Sequence, residues 1–153
     1  MTSISKRRFP TWKTILCIIV ILIVLGYMSA IPYLVEIVDV YYSIEQHIPE
    51  YLKLTVAIEL RNNTPLEVIV GGALILHCTL MNGSRRDITY PLSSRTVKPQ
   101  GLETLETTIF FTFTTPEKTE AIYTYSVDAV IFVRGILSSR TIEVKSIYSV
   151  GEA

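Results

Sequence analysis

Two cysteines and two histidines are all that this chain offers among the side chains that most often bind metals or act as nucleophile and base. Cys17 lies in a long apolar run, which leaves Cys78 alone in the rest of the chain. That segment therefore has no internal disulfide, even in an oxidising compartment, and Cys78 is expected to pack as a small apolar residue. Neither His47 nor His77 has a second His, Cys or carboxylate at a ligand spacing such as H-x3-H or C-x2-C, so neither a metal site nor a cofactor is expected. His77 and Cys78 are neighbours, but in a strand adjacent side chains point to opposite faces and cannot form a dyad. By the same rule Glu103 and Glu106 fall on opposite faces as solvated carboxylates. Ser93-Ser94 and Ser138-Ser139 are expected in loops with no base nearby in sequence, and Gly71-Gly72 is too little for a phosphate-binding loop. The inventory excludes most catalytic schemes, and the chain is expected not to be an enzyme.

Charge is absent from Thr14 to Val35, TILCIIVILIVLGYMSAIPYLV. At the α-helical rise, about 22 residues span roughly 33 Å, enough to cross the hydrocarbon core of a bilayer. Trp12 and Tyr33 bracket the run as interfacial aromatics, and Pro32 stands near its outer end, where stopping a helix costs little. Lys6, Arg7, Arg8 and Lys13 precede the run, with no acid before Glu36. The positive-inside rule then puts residues 1–13 in the cytoplasm, a transmembrane signal anchor at 14–35, and 36–153 outside the cell membrane. The run exceeds a signal-peptide core of about 7–15 residues, and Met28-Ser29-Ala30 has a large residue where a cleavage site wants a small one. An uncleaved single-pass anchor is expected, with the bilayer as its partner.

What remains is too apolar to be disordered. The chain has 153 residues, 49% of them hydrophobic, and a mean hydropathy of +0.40, which bounds it to one domain plus the anchor. Setting the four N-terminal cations aside from 14 Lys and Arg leaves ten, against 14 Asp and Glu, so residues 36–153 carry a net −4. With no basic stripe, nucleic acid and anionic lipid surfaces are poor candidate partners, and no nucleic acid is expected. Asn and Gln are scarce, which leans toward a thermophile or an archaeon.

The exported segment alternates with a period of two. Leu52, Leu54, Val56, Ile58 and Leu60 share one face. So do Val38, Val40, Tyr42 and Ile44; Leu74, Leu76, Cys78 and Leu80; Leu105, Ile109, Phe111 and Phe113; and Ala129, Ile131 and Val133, with Ile142 and Val144 in a last strand. Turns are expected at Asn62-Asn63-Thr64-Pro65, Asn82-Gly83 and Pro99-Gln100-Gly101. Gly71-Gly72 reads as a hairpin turn or a bulge, and Pro116–Tyr123 reads as a short helix. About seven short strands argue for an all-β, antiparallel sandwich. Ile75, Met81, Phe110, Val130 and Phe132 fall on the outward faces, where they are either scattered exposures or a patch for a partner.

Leu54–Gly83 resembles the core of late embryogenesis abundant type 2 domains, also called water-stress and hypersensitive-response domains. Their pattern is an alternating strand, an Asn-Pro-Asn-Pro turn followed by an apolar residue, another strand, then Asn-Gly. Here Asn62, Pro65 and Leu66 match the turn, while Asn63 and Thr64 depart from it. Val97-Lys98-Pro99-Gln100-Gly101 and the Thr-rich stretch after it look like the family's middle segment. The resemblance covers about Val38–Val144. It implies a Greek-key sandwich with one short helix, often behind a membrane helix, a bulge at Gly71-Gly72, and protection of membranes and proteins under stress.

Asn62-Asn63-Thr64 and Asn82-Gly83-Ser84 are N-glycosylation sequons on the exported side, so Asn62 and Asn82 are candidate glycan sites in a host with the machinery. Otherwise both are simply turn formers. The expected role is non-catalytic binding, protection or structure at the cell surface. The alternatives are a subunit of an envelope or surface-filament assembly with protein partners, and a lipid-binding module. Against a filament subunit of pilin type, the early acidic residue of such helices is missing between Thr14 and Val35.

Overall fold

The computed structural model describes residues 11–47, 51–80, 82–112 and 122–150. Helix α1 runs Trp12–Ala30 and passes through a 3-10 turn, Ile31–Leu34, with Pro32 at its start. Trp12–Leu34 is long and apolar enough to cross a membrane, and only 6% of its apolar window is buried against the rest of the protein. The apolar run does not stay helical to Val35, because that residue opens the first strand.

Seven strands follow: β1 Val35–His47, β2 Tyr51–Asn62, β3 Val68–Leu80, β4 Arg85–Val97, β5 Leu102–Thr112, β6 Ile122–Arg134 and β7 Ser139–Val150. They form two antiparallel sheets, ordered β1-β2-β5 and β4-β3-β6-β7. The chain changes sheet after β2, β4 and β5, so β5 returns beside β2 and β6 beside β3. These crossings are the Greek-key connections of a sandwich. The inner faces meet in a core that includes Leu54, Ile58, Leu60, Leu74, Leu76 and Ile131. Ile31 and Val35 belong to the same core, so the helix enters the sandwich without a spacer.

The strand faces follow the alternation, with three departures. In β1 the register shifts between Ile37 and Asp39. Val35 and Ile37 therefore share the inner face with Val40, Tyr42 and Ile44, while Val38 is exposed. Residues 85–97, with little alternation, form β4, an edge strand where Pro91 needs no ladder partner for its missing N–H. Ser93 and Ser94 consequently lie in a strand, not a loop. Of the expected helix at 116–123, residues up to 121 lie outside the described residues, and Ile122 and Tyr123 belong to β6. Phe113 and Met81 lie outside them as well.

Gly71-Gly72 is a bulge within β3, where pairing to β4 shifts between Val70 and Gly72. A side chain at Gly71 would run into the Phe132 ring, which covers that backbone on the outer face. Phe132 thus has a packing reason to point outward. At Gly72 a Cβ would collide with the Val130 carbonyl oxygen on the neighbouring strand, so only glycine allows this approach.

At the end away from the helix, Tyr148 lies 5.3 Å from Tyr42 and 5.8 Å from Tyr125 between ring centroids. The three rings bridge β1 in one sheet to β7 and β6 in the other. Burial pushes the Tyr125 phenol well above its ordinary value, with the Tyr148 hydrogen bond adding to it.

Gly72→Ala is expected to lower folding stability by about 1–3 kcal/mol through overpacking; an unchanged urea midpoint would remove the close approach. For Tyr125 the folded state holds the proton more tightly than the unfolded state does. Stability is therefore level below the ordinary phenol value of about 10 and falls as pH rises beyond it. Thermal melts of Tyr125→Phe should show a shallower alkaline decline than the parent protein.

Candidate functional site

The outer face of the four-stranded sheet carries the one place among the described residues where two carboxylates approach a histidine. His77 stands on β3, directly opposite Asp87 on β4 and Ser126 on β6. Its Nδ1 lies 2.8 Å from Asp87 Oδ1, and its Nε2 lies 3.5 Å from Asp128 Oδ2. An ionised carboxylate only accepts, so Nδ1 carries the hydrogen and donates it to Asp87. Asp128 is held from its other side, where its Oδ1 accepts the Ser146 N–H at 2.8 Å. Ser146 has φ 53° and sits where the β6–β7 register breaks between Val127 and Ala129.

Sequence spacing gave His77 no carboxylate, and the structure gives it two. The first is set by the β3–β4 hairpin, whose register pairs residues with numbers summing to 164, one less than a two-residue Asn82-Gly83 turn gives, and so places 77 against 87. The other depends on β6 crossing back beside β3, a long-range pairing with no local signal.

The arrangement limits the chemistry. The carboxylates address opposite nitrogens of one ring, so they cannot converge on a single ion, and no group of three or more His, Cys, Asp or Glu suited to a metal occurs among the described residues. Cys78 faces the core, diverging from His77 as strand geometry requires. Burial pushes its thiol up, with Asp87 adding and Arg86 opposing, so it is a poor nucleophile. His47 lies in β1, with its side chain outside the described residues. Around His77 the sheet forms an open depression of about 530 Å³ that also takes in Arg85, Thr79, Thr124, Ser126 and Ser149. Most of the lining side chains are polar, which suits contact with a polar partner.

The two sequons share one local geometry and differ in burial. In each, the Asn Oδ1 accepts both the backbone N–H and the hydroxyl of the residue two positions on: Thr64 at 3.0 and 2.8 Å, Ser84 at 2.8 and 2.6 Å. Asn82 is exposed in the β3–β4 turn. Asn62 is 0% exposed, and its Nδ2 donates to the carbonyls of Leu66, Val97 and Lys98 at 2.7, 3.3 and 3.1 Å. The expectation of a glycan at Asn62 fails on this geometry, since the nitrogen that would carry the sugar is enclosed. Here the asparagine is a structural turn former.

No family model matches the chain, and no curated protein sequence matches it. Among solved structures, the Northeast Structural Genomics Consortium target SoR45 superposes with a TM-score of 0.50 at 11% identity, over 73% of this chain and 82% of that one. That likeness extends to the fold alone. A protein from Archaeoglobus fulgidus gives 0.41 at 15% identity over 72% and 97% of the two chains. Bacteroides uniformis β-glucuronidase 2 gives 0.43 at 14% identity, over 70% of this chain and 13% of its own. Neither of these two bears on a role.

Asn62→Ala is expected to cost about 1–3 kcal/mol, because three carbonyls lose their donor in a buried site; Asn82→Ala, in an exposed turn, should cost under about 1 kcal/mol. In a glycosylating host, any mass increment on the intact protein should vanish with Asn82→Ala. A sugar found on Asn62 would contradict the buried geometry.

Proposed function

We propose that the protein is a single-pass, membrane-anchored sandwich that acts outside the cytoplasm by binding, without catalysis. The observation that carries this is the join: an apolar helix with almost no buried surface runs through one 3-10 turn directly into the sandwich core. A soluble domain gains nothing from such a helix, whose exposed aliphatic side chains demand an apolar surrounding. The cations before α1 support a cytoplasmic N-terminus. The polar depression at His77 supports the binding role, because its lining carries hydrogen-bond donors and acceptors.

The resemblance to late embryogenesis abundant type 2 domains favours a protective role at the membrane. A second role, as subunit of an envelope assembly, is favoured by β1. It is a 13-residue edge strand with Tyr41 and Tyr42 exposed, and such edges readily pair with other chains. A lipid bound between the sheets has little support, because side chains fill that space.

Two measurements test this reading. In intact cells stripped of outer layers, external protease should remove a C-terminal tag and spare an N-terminal one; the reverse pattern would overturn the topology. Extraction in mild detergent should then give a monomer or small homo-oligomer that retains the chain. Stoichiometric protein partners in the particle would transfer the conclusion to the assembly role.

A further inference from the structure

The loop between β6 and β7, residues 135–138, lies beside the end of the helix. Ser138 Oγ donates to the Ser29 carbonyl at 2.6 Å, capping one of the acceptors that a helix leaves open in its last turn. Gly135 packs against the 3-10 turn so closely that a Cβ there would lie 3.2 Å from Pro32 Cγ and Cδ. The Gly135 N–H donates to the Ser138 carbonyl at 2.9 Å, which closes the turn and leaves Ile136 and Leu137 at its tip. Those two side chains are 60% and 50% exposed.

The level of this turn follows from the helix. A hydrocarbon core of about 30 Å takes about 20 helical residues. Counted from Thr14, the first residue past the last cation, it ends near Tyr33, so a turn tied to Ser29 and Pro32 is level with the outer acyl–headgroup boundary or just inside it. Around it the chemistry fits that depth. Tyr33 is exposed, and the Arg140 guanidinium lies 5.4 Å from its ring centroid and donates to the Tyr33 carbonyl at 3.4 Å, an aromatic and a cation at headgroup level. Beside the turn lies a groove of about 460 Å³ in which Leu66, Val68, Ile69 and Ile136 stand together with Glu67, Thr96 and Arg134.

We propose that Ile136 and Leu137 form a second membrane contact, inserted into the outer leaflet of the bilayer that α1 spans, so that the sandwich is seated on lipid at two points and cannot rotate freely about the helix. This rests on the anchor reading above. The occupant is the lipid of that bilayer, because the turn is bonded to the very helix end that reaches the interface.

The test uses the full chain in phosphatidylcholine nanodiscs containing lipids with a nitroxide near the headgroup. An environment-sensitive fluorophore is placed at Ile136→Cys, at Leu137→Cys and, as a distant control, at Arg85→Cys, each in a Cys17→Ala background; parent protein labelled at Cys17 reports on the helix. Labels at 136 and 137 should be quenched about two-fold or more over the label at 85, as interfacial residues are. Quenching at 136 and 137 no stronger than at 85, with Cys17 in the bilayer by its own lipid-shielded emission, overturns the second contact and leaves the anchor standing. A water-exposed Cys17 label overturns both.

Discussion

The amide of Asn62 uses both of its ends. Its nitrogen donates to three carbonyls drawn from the β2–β3 turn and from the end of β4, and its oxygen accepts two hydrogens from Thr64. The segments it joins are those that close the helix end of the sandwich. Next to it, Asn63 donates its N–H to the Leu34 carbonyl, and the Asn62 N–H reaches the Gly101 carbonyl. Three pieces of chain distant in sequence, around Leu34, Asn62–Leu66 and Val97–Gly101, are thereby fixed at the Asn62 side chain and the backbone beside it. No buried side-chain nitrogen or oxygen among the described residues is left without a partner, which is what permits a polar knot in an apolar core. The direct entry of the helix, the crossing from β2 to β3 and the turn before β5 all rest on that knot.

Much of this was legible in the residues. Alternation alone picks out β2, β3, β5 and β6, because each has one face against the core and one toward water. It fails in β4, which is an edge strand with few buried positions, and in β1, where a single extra residue near Val38 swaps the faces. Such a slip leaves no mark in composition. The sequons show the complementary limit: the same three-residue pattern produces the same hydrogen bonds twice. Only the long-range partners of Asn62, on a strand 35 residues away, decide that one amide is enclosed and the other open. Neither partner of His77 follows from spacing, since Asp87 depends on a hairpin register one residue off a two-residue turn and Asp128 on topology.

A sandwich floor offers rigid positions but little enclosure. The groups around His77 are set by strand pairing on three sides, so their spacing is fixed by backbone hydrogen bonds. What they lack is a wall. That combination suits recognition of an extended polar surface better than retention of a small molecule.

The helix joins the sandwich at the end where β1 begins, and the Asn82 turn lies at the other end of β3. Strands of 12 or 13 residues span roughly 40 Å. Membrane helices commonly tilt by about 20° to match bilayer thickness. In the anchored reading, with no spacer between helix and core, such a tilt would move the Asn82 turn sideways by up to roughly 14 Å. In the anchored reading proposed above, any tilt of α1 therefore passes to the tip of the domain with no flexible segment to absorb it.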